Sequence, residues 1–113
     1  MQNSKGLCYW ITGLSGAGRT SLANDLVNKI KPIKSNVVFL DGDDLREVLD
    51  TQAFNHDQRV KIGYIYSRLA KMLVEQNITV VISVMALFKE VQLWNKNNIP
   101  NYFEVFLDVP IEE

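Results

Sequence analysis

A glycine-rich segment near the start of the chain carries the residues best suited to chemistry. Residues 13–20 read Gly-Leu-Ser-Gly-Ala-Gly-Arg-Thr, which follows the phosphate-binding pattern G-x-x-x-x-G-K-[ST] in every position but one, because Arg19 stands where the pattern has lysine. Backbone N–H groups in such a loop point at a polyphosphate, and Thr20 would supply a hydroxyl to Mg²⁺. The segment therefore predicts a site for ATP and Mg²⁺. The alternative interpretation is an ordinary glycine-rich turn.

A second segment whose residues could do chemistry is the acidic turn Asp41-Gly42-Asp43-Asp44, which follows the apolar run 37–40. Asp41 and Asp43 are two positions apart around a glycine, so both carboxylates can face one cleft. A carboxylate there can orient the water molecules of a metal ion or accept a proton from an attacking hydroxyl. The alternative is that the turn only caps the next helix, a role for which we expect Asp44.

The hydrophobic pattern predicts the elements that must position these segments. Apolar runs typical of strands alternate with apolar residues at helical spacing, in the order β-α-β-α-α-β-α-β. Right-handed crossovers make such a sheet parallel and the fold a three-layer α/β arrangement, in a single domain over residues 1–113. The predicted strands cover residues 7–11, 37–40, 78–84 and 103–109, and the predicted helices cover 22–30, 45–49, 62–76 and 88–94. Ligands of parallel sheets bind at the carboxyl ends of the strands, so the two segments should converge there with residues 85–89.

Composition argues against several classes of partner. The net charge of −1 over 113 residues offers no basic surface for nucleic acid, and no apolar run is long enough to suggest a membrane span. The first residues lack the apolar stretch of a secretory signal, so we expect a cytoplasmic protein. The one cysteine, Cys8, lies in the first predicted strand and is interpreted as a buried structural thiol.

Four segments together resemble the adenylylsulfate (APS) kinase family of P-loop kinases. They are the loop at residues 13–20, Leu40-Asp41-Gly42-Asp43-Asp44-Leu45-Arg46, the spacing Phe54-x-x-x-x-Arg59, and residues 103–110. The resemblance implies a P-loop NTPase fold whose C-terminal lid and last strand would lie beyond residue 113. It also implies an ATP-dependent kinase, with Mg²⁺, acting on the ribose 3′-hydroxyl of adenylylsulfate, and the family's common dimeric state makes a homodimer an expectation.

The same resemblance implies a role for each site residue. Nucleotide binding maps to Gly13, Ser15, Gly16, Ala17, Gly18, Arg19, Thr20 and Ser21. The catalytic group maps to Asp43, Asp41 and Arg19, with Asp43 beside the acceptor hydroxyl, and the metal maps to Thr20 and Asp41. The nucleotide acceptor, a small molecule, maps to Asp43, Arg46, Phe54, Arg59, Phe88 and Lys89.

Departures from the family pattern keep other interpretations open. Arginine is longer and forked where the family lysine is compact, so turnover could suffer at Arg19. An Asn-x-Arg element of the family corresponds here to Ile62 and Tyr64, which cannot reproduce its donors, and Ala86-Leu87-Phe88 lacks a family serine. One alternative is a related kinase acting on cytidine diphosphoramidate in surface-polysaccharide synthesis. Another is a nucleotide-binding remnant with little turnover.

Aromatic residues and the one histidine have simpler predicted roles. Trp10 should lie in the core, whereas Trp94 could be a surface or interface residue. Tyr64 and Tyr66 are two positions apart on a predicted helix and should face different directions. His56 lies in a polar stretch, where a single histidine is interpreted as a solvated loop residue. The last predicted strand should leave a bare edge that invites pairing with another chain.

Overall fold

Parallel strands alternate with helices along the described part of the chain. The structure is a computed structural model, and it describes residues 5–13, 19–50, 55–84 and 88–107. Within these residues the elements, in chain order, are β1 (Cys8–Gly13), α1 (Arg19–Ile30), β2 (Val37–Asp41), α2 (Gly42–Leu49), α3 (His56–Glu75), β3 (Thr79–Ser83), α4 (Lys89–Asn98) and β4 (Tyr102–Leu107). This is the predicted order of strands and helices, and the α/β class is confirmed.

The described strands form one parallel sheet in the order β2-β3-β1-β4. In the register, Ser83 at the end of β3 lies between Ile11 of β1 and Asp41 of β2. On the other side of β1, Gly13 pairs with Leu107 of β4. The carboxyl ends of all these strands therefore lie at one edge of the sheet, as the sequence predicted.

Alternating side chains give the sheet two separately packed faces. On one face, Ile11 and Val81 pack with Ala23 and Val27 of α1. On the other face, Trp10, Val80 and Ile82 pack with residues of α2, α3 and α4. The result is three layers, with α1 on one side of the sheet and the other described helices opposite.

Several boundaries and caps differ from the sequence predictions. The residue that caps α2 is Asp41 and not Asp44, because the Asp41 carboxylate accepts a hydrogen bond from the Asp43 N–H. The third helix begins at His56, six positions before the first apolar residue of its predicted stretch, since the Asn55 side chain accepts a hydrogen bond from the Gln58 N–H. Local capping by side-chain oxygens, which apolar spacing does not record, sets both helix starts.

The predicted core residues lie where expected. Cys8 is fully buried, and Trp10 is 1% exposed. Tyr66 is buried, whereas Tyr64 is half-buried and meets Trp94 edge to face at 6.3 Å between ring centroids. Trp94 thus packs against α3 within the chain. Among the described helices, none has the length and hydropathy that crossing a membrane requires.

Candidate active site at the carboxyl edge of the sheet

The glycine-rich segment connects a central strand to a helix. Gly13, the last residue of β1, is buried, and α1 begins at Arg19. The predicted ligands Ser15, Gly16, Ala17 and Gly18 lie outside the described residues, while Ser21 is an exposed residue of α1. The strand and helix that flank the segment have the arrangement of a phosphate-binding loop, with the positive end of a helix dipole directly after the glycines.

The acidic turn begins two strands away from that segment. Asp41 and Ile11 both pair with Ser83, so their Cα atoms lie about 10 Å apart, since neighbouring strands are about 4.8 Å apart. Val37 and Phe39 of β2 pack on the α1 side of the sheet, and strand alternation puts Asp41 on that same side. The half-buried Asp41 carboxylate therefore lies on the side of the sheet where α1 packs.

A glycine allows the acidic turn to approach the end of β3. A Cβ atom on Gly42 would lie 3.0 Å from the carbonyl oxygen of Ser83 and 3.5 Å from the Cα of Val84. A contact of 3.0 Å is tighter than nine in ten of those that real Cβ atoms make, and the opposing atom is backbone. Gly42 thus lets α2 start directly against β3, which fixes Asp41 and Asp43 at the sheet edge.

The charged side chains of α2 interact with each other at the surface. Asp43 and Arg46, one helical turn apart, form an ion pair through Asp43 Oδ1 and Arg46 Nη2. The side chain of Asp43 is 78% exposed and that of Arg46 is 50% exposed, so both groups are accessible to a ligand. The structure therefore brings together Asp41, Asp43 and Arg46 from the predicted site.

The other predicted acceptor residues follow the acidic turn and β3. Arg59 is exposed in the first turn of α3, and Phe88 is the half-buried residue that precedes α4. Lys89 is the exposed first residue of α4, and Phe54 lies outside the described residues. His56, interpreted from the sequence as a solvated loop residue, instead opens α3 and contacts the Phe88 ring at 4.9 Å between centroids. That pairing joins residues distant in sequence, so spacing could not have found it.

Two residues that the sequence analysis set against a polar Asn-x-Arg element, Ile62 and Tyr64, lie on α3. Ile62 and Tyr64 are both half-buried and pack against the main hydrophobic core. The Arg68 guanidinium lies 5.8 Å from the centroid of the Tyr64 ring, and Trp94 contacts that ring from α4. These side chains stabilise the contact between α3 and α4.

The residues with raised pKa values, Cys8 and Tyr102, lie away from the carboxyl ends of the strands. Burial raises the pKa of the Cys8 thiol to about 12, which makes it a poor nucleophile and fits its predicted structural role. Burial also raises the pKa of Tyr102, whose hydroxyl accepts a hydrogen bond from Asn95 and donates one to Glu104. Across the described ranges, His, Cys, Asp and Glu side chains form no group of three that could hold a metal ion.

Comparison with known proteins identifies the family of this chain. The family model described as adenylylsulphate kinase matches residues 5–113. The chain belongs to the adenylylsulphate kinase family. Cytidine diphosphoramidate kinase of Campylobacter jejuni is 32% identical to this family member over 104 residues, which cover 92% of the chain and 61% of that relative. Adenylyl-sulfate kinase of Synechococcus sp. is 31% identical over 113 residues, which cover 96% of the chain and 62% of the relative.

Solved structures of the family share the fold. The Mycobacterium tuberculosis APS kinase in complex with AMPPNP and APS superposes with a TM-score of 0.79 at 29% identity, covering 96% of this chain and 65% of that one. The family member described here thus spans about three fifths of the length of the curated relatives it matches. Within that span lie the parallel sheet, the strand and helix that flank the glycine-rich segment, and the acidic turn.

Proposed function

We propose that this chain belongs to a kinase that transfers the γ-phosphoryl group of ATP to a hydroxyl of a nucleotide conjugate. The observation that carries the proposal is the position of the Asp41–Asp43 turn. It lies at the same sheet edge as the glycine-rich segment, two strands away with β3 between them, and its first carboxylate is on the α1 side. Phosphoryl transfer needs a phosphate cradle close to carboxylates that can orient a metal ion or the attacking hydroxyl.

The donor side of the proposed site is formed by residues 13–21. Backbone N–H groups of the loop and the start of α1 would bind the β- and γ-phosphates of ATP. Arg19 would supply the cation that the family pattern assigns to lysine. Because backbone amides do not depend on side-chain identity, nucleotide binding should tolerate the exchange better than turnover does.

Oxygen ligands suited to Mg²⁺ are available beside that cradle. The Asp41 carboxylate uses Oδ1 to accept the Asp43 N–H, which leaves Oδ2 for a metal or one of its water molecules. Together with the Thr20 hydroxyl this is the hard oxygen donor set that Mg²⁺ prefers, so these residues fit the ion. When bound, Mg²⁺ would neutralise charge on the phosphate oxygens.

On the acceptor side, Asp43 is the proposed proton acceptor. The acceptor hydroxyl oxygen forms a bond to the γ-phosphorus, the bond from that phosphorus to the bridging oxygen of ADP breaks, and the hydroxyl proton passes to Asp43. Arg46, which already pairs with Asp43, and Arg59 and Lys89 supply cations for the anionic end of the acceptor. Phe54 and Phe88 offer aromatic faces for its base.

The identity of the acceptor is the finer part of the proposal. Adenylylsulfate is the first candidate because it is the acceptor that the family resemblance implies. Cytidine diphosphoramidate is the second, and the packing of Ile62 and Tyr64 into the core favours it. A site that lacks an amide and a guanidinium should lose selectivity for the group they bind, because buried polar contacts supply large discrimination.

Location and assembly complete the proposal. A kinase that consumes ATP would act in the cytoplasm, in line with the composition of the chain. A homodimer is part of the proposal because it is the common state of the family that the sequence resembles.

A thermal-shift titration combined with a transfer assay tests the function. We expect Mg·ATP to raise the melting temperature of the wild-type chain and of Arg19→Lys alike. With radiolabelled ATP, label should move to adenylylsulfate or cytidine diphosphoramidate, and Arg19→Lys should raise turnover by roughly 10²-fold. A folded protein whose melting temperature does not respond to millimolar nucleotide would contradict the proposal, and binding without transfer in both proteins would favour the nucleotide-binding remnant.

A further inference from the structure

His56 links the start of α3 to the start of α4, and both segments contribute residues to the proposed acceptor site. The His56 ring, at the start of α3, meets the Phe88 ring with an interplanar angle of 81° and 4.9 Å between centroids. Its Nε2 lies 3.8 Å from Oε2 of Glu90, in the first turn of α4. One side chain therefore contacts both the residue that precedes α4 and the helix itself.

The contact lies beside the cations of the proposed acceptor site. Arg59 is three residues after His56 on α3, so the two side chains project from neighbouring positions on one helix face. Lys89 separates Phe88 from Glu90 in sequence. The histidine is thus placed among aromatic and cationic side chains proposed to bind the acceptor, although its own side chain is 62% exposed.

Phe88 precedes α4, and its side chain packs against the edge of the main hydrophobic core. It occupies the N-cap position of α4, where a phenyl ring has no atom that could accept a capping hydrogen bond. Its ring is only half-buried. An aromatic edge-to-face contact is directional, so the His56 ring restricts the orientations open to Phe88 before any ligand binds.

We propose that His56 is a positioning residue for the acceptor: it holds the Phe88 ring in the orientation that stacks on a nucleobase. The inference rests on the proposed function, because it assigns Phe88 to the acceptor site. A ring that is ordered before binding costs less conformational entropy when the ligand arrives. Loss of the contact should therefore weaken acceptor binding and leave ATP binding unchanged.

Calorimetric titration of the 113-residue chain saturated with Mg·AMPPNP tests this role. Adenylylsulfate and cytidine diphosphoramidate are titrated separately into wild type, His56→Ala and His56→Phe. We expect His56→Ala to raise the Kd of the better-bound acceptor by roughly three- to tenfold, the ratio that one aromatic contact typically supplies. His56→Phe keeps an aromatic ring and should restore most of the affinity. The Kd of AMPPNP should be the same in all three proteins.

The control is Lys61→Ala, an exposed substitution on α3 outside the proposed site, which should leave every Kd unchanged. Equal acceptor affinity in wild type and His56→Ala, or failure of His56→Phe to restore a lost affinity, would overturn the role of His56 while leaving the proposed function intact. A wild-type chain that binds AMPPNP but neither acceptor would instead contradict the proposed acceptor site, and the role of His56 with it. Circular dichroism melting curves establish that each variant is folded.

Discussion

The central and edge strands of the sheet differ in their surroundings, and the difference separates stability from chemistry. All residues of β3 are buried, and β1 is buried except for the half-buried Tyr9. Every residue of β2 is only half-buried, and β4 exposes Phe103 and Phe106. Central strands covered on both faces supply the packing, while the acidic turn that follows an edge strand displays side chains to a ligand.

The two strand ends also offer different kinds of chemistry. The segment after β1 would act mainly through backbone N–H groups, which need only the correct path of the chain. The turn after β2 would act through the carboxylates of Asp41 and Asp43, of which Asp43 is largely exposed. Substitutions in central strands should therefore change the free energy of unfolding, and substitutions after β2 should change activity with little effect on stability.

The largest expected effect is the loss of a central aliphatic side chain. Ile82→Ala removes a fully buried side chain from β3, so the free energy of unfolding should fall by about 2–5 kcal/mol. Ile33→Ala is the matched control, because Ile33 is 81% exposed and should change stability by less than about 0.5 kcal/mol. Urea unfolding of both variants measures the difference. Equal losses would show that burial in the sheet does not determine stability here.

A smaller effect is expected where the chain enters β1. A Cβ atom on Gly6 would lie 2.6 Å from the carbonyl oxygen of Ile78 and 2.7 Å from that of Val74, so backbone must move in Gly6→Ala. We expect a loss of about 1–3 kcal/mol, typical of overpacking. Gly63→Ala is the comparison, because its Cβ would meet only the Val91 side chain, at 3.2 Å, and alanine favours a helix by up to about 1 kcal/mol. Denaturant midpoints that rank the two variants in the opposite order would contradict this account.

Alkaline pH should lower the free energy of unfolding, because a buried thiol in a central strand must stay protonated. The pKa of Cys8 is about 12 in the folded chain and about 8.5 in an unfolded one, so the unfolded state loses its proton first as pH rises. Stability from this group is complete below about pH 8 and is lost between about pH 9 and 12, by about 1 kcal/mol per pH unit. Tyr102 shifts in the same direction and adds to the loss.

Urea unfolding between pH 7 and 10 measures this dependence. Cys8→Ala should show a shallower fall above pH 9 than wild type, even if it is less stable at neutral pH because of the lost sulfur. Identical slopes in the two proteins would mean that Cys8 is not protected from ionisation by burial. Thiol-reactive reagents provide a second readout, since Cys8 should react only as the chain unfolds.

Sequence patterns predicted the strands and helices because burial is periodic. Residues 78–84 are apolar at five of seven positions, as expected of a strand between two helical layers, and β3 forms within them. The helix starts were less predictable. In Asp41-Gly42-Asp43-Asp44 three carboxylates could cap α2, and the choice depends on where the pairing of β2 with β3 ends, which is at Asp41 opposite Ser83.

The candidate site was predictable only in part, for a related reason. Asp41, Asp43 and Arg46 lie within one short stretch of the chain, so local spacing brings them together. The contact of His56 with Phe88 depends on the packing of α3 against α4, for which no short pattern exists. Likewise the inward packing of Ile62 and Tyr64 follows from contacts with the core and with Trp94 rather than from their sequence neighbours.

The smallest expected effect on stability sharpens the comparison most. Asp43→Asn removes an exposed ion pair with Arg46 and one negative charge from the first turn of α2. Exposed pairs contribute about 0–1 kcal/mol, and a charge near a helix N-terminus about 0.3–1 kcal/mol, so the free energy of unfolding should fall by no more than about 2 kcal/mol. Asp44→Asn removes a neighbouring charge from the same turn and should cost about 0.3–1 kcal/mol. The two variants should therefore differ in stability by at most about 1 kcal/mol, the contribution of the exposed ion pair.

They should differ in activity, because only Asp43 is proposed to receive the proton of the acceptor hydroxyl. An amide cannot accept that proton, so Asp43→Asn should lower the rate of phosphoryl transfer by about 10²- to 10⁴-fold, whereas Asp44→Asn should retain a rate close to that of wild type. Parallel transfer assays and urea unfolding curves give both quantities for each protein. Comparable rates in the two variants would remove Asp43 from the proposed mechanism. A stability loss of several kcal/mol in Asp43→Asn alone would mean that the turn after β2 also stabilises the fold. That result would contradict the separation of stability from chemistry between the central and edge strands.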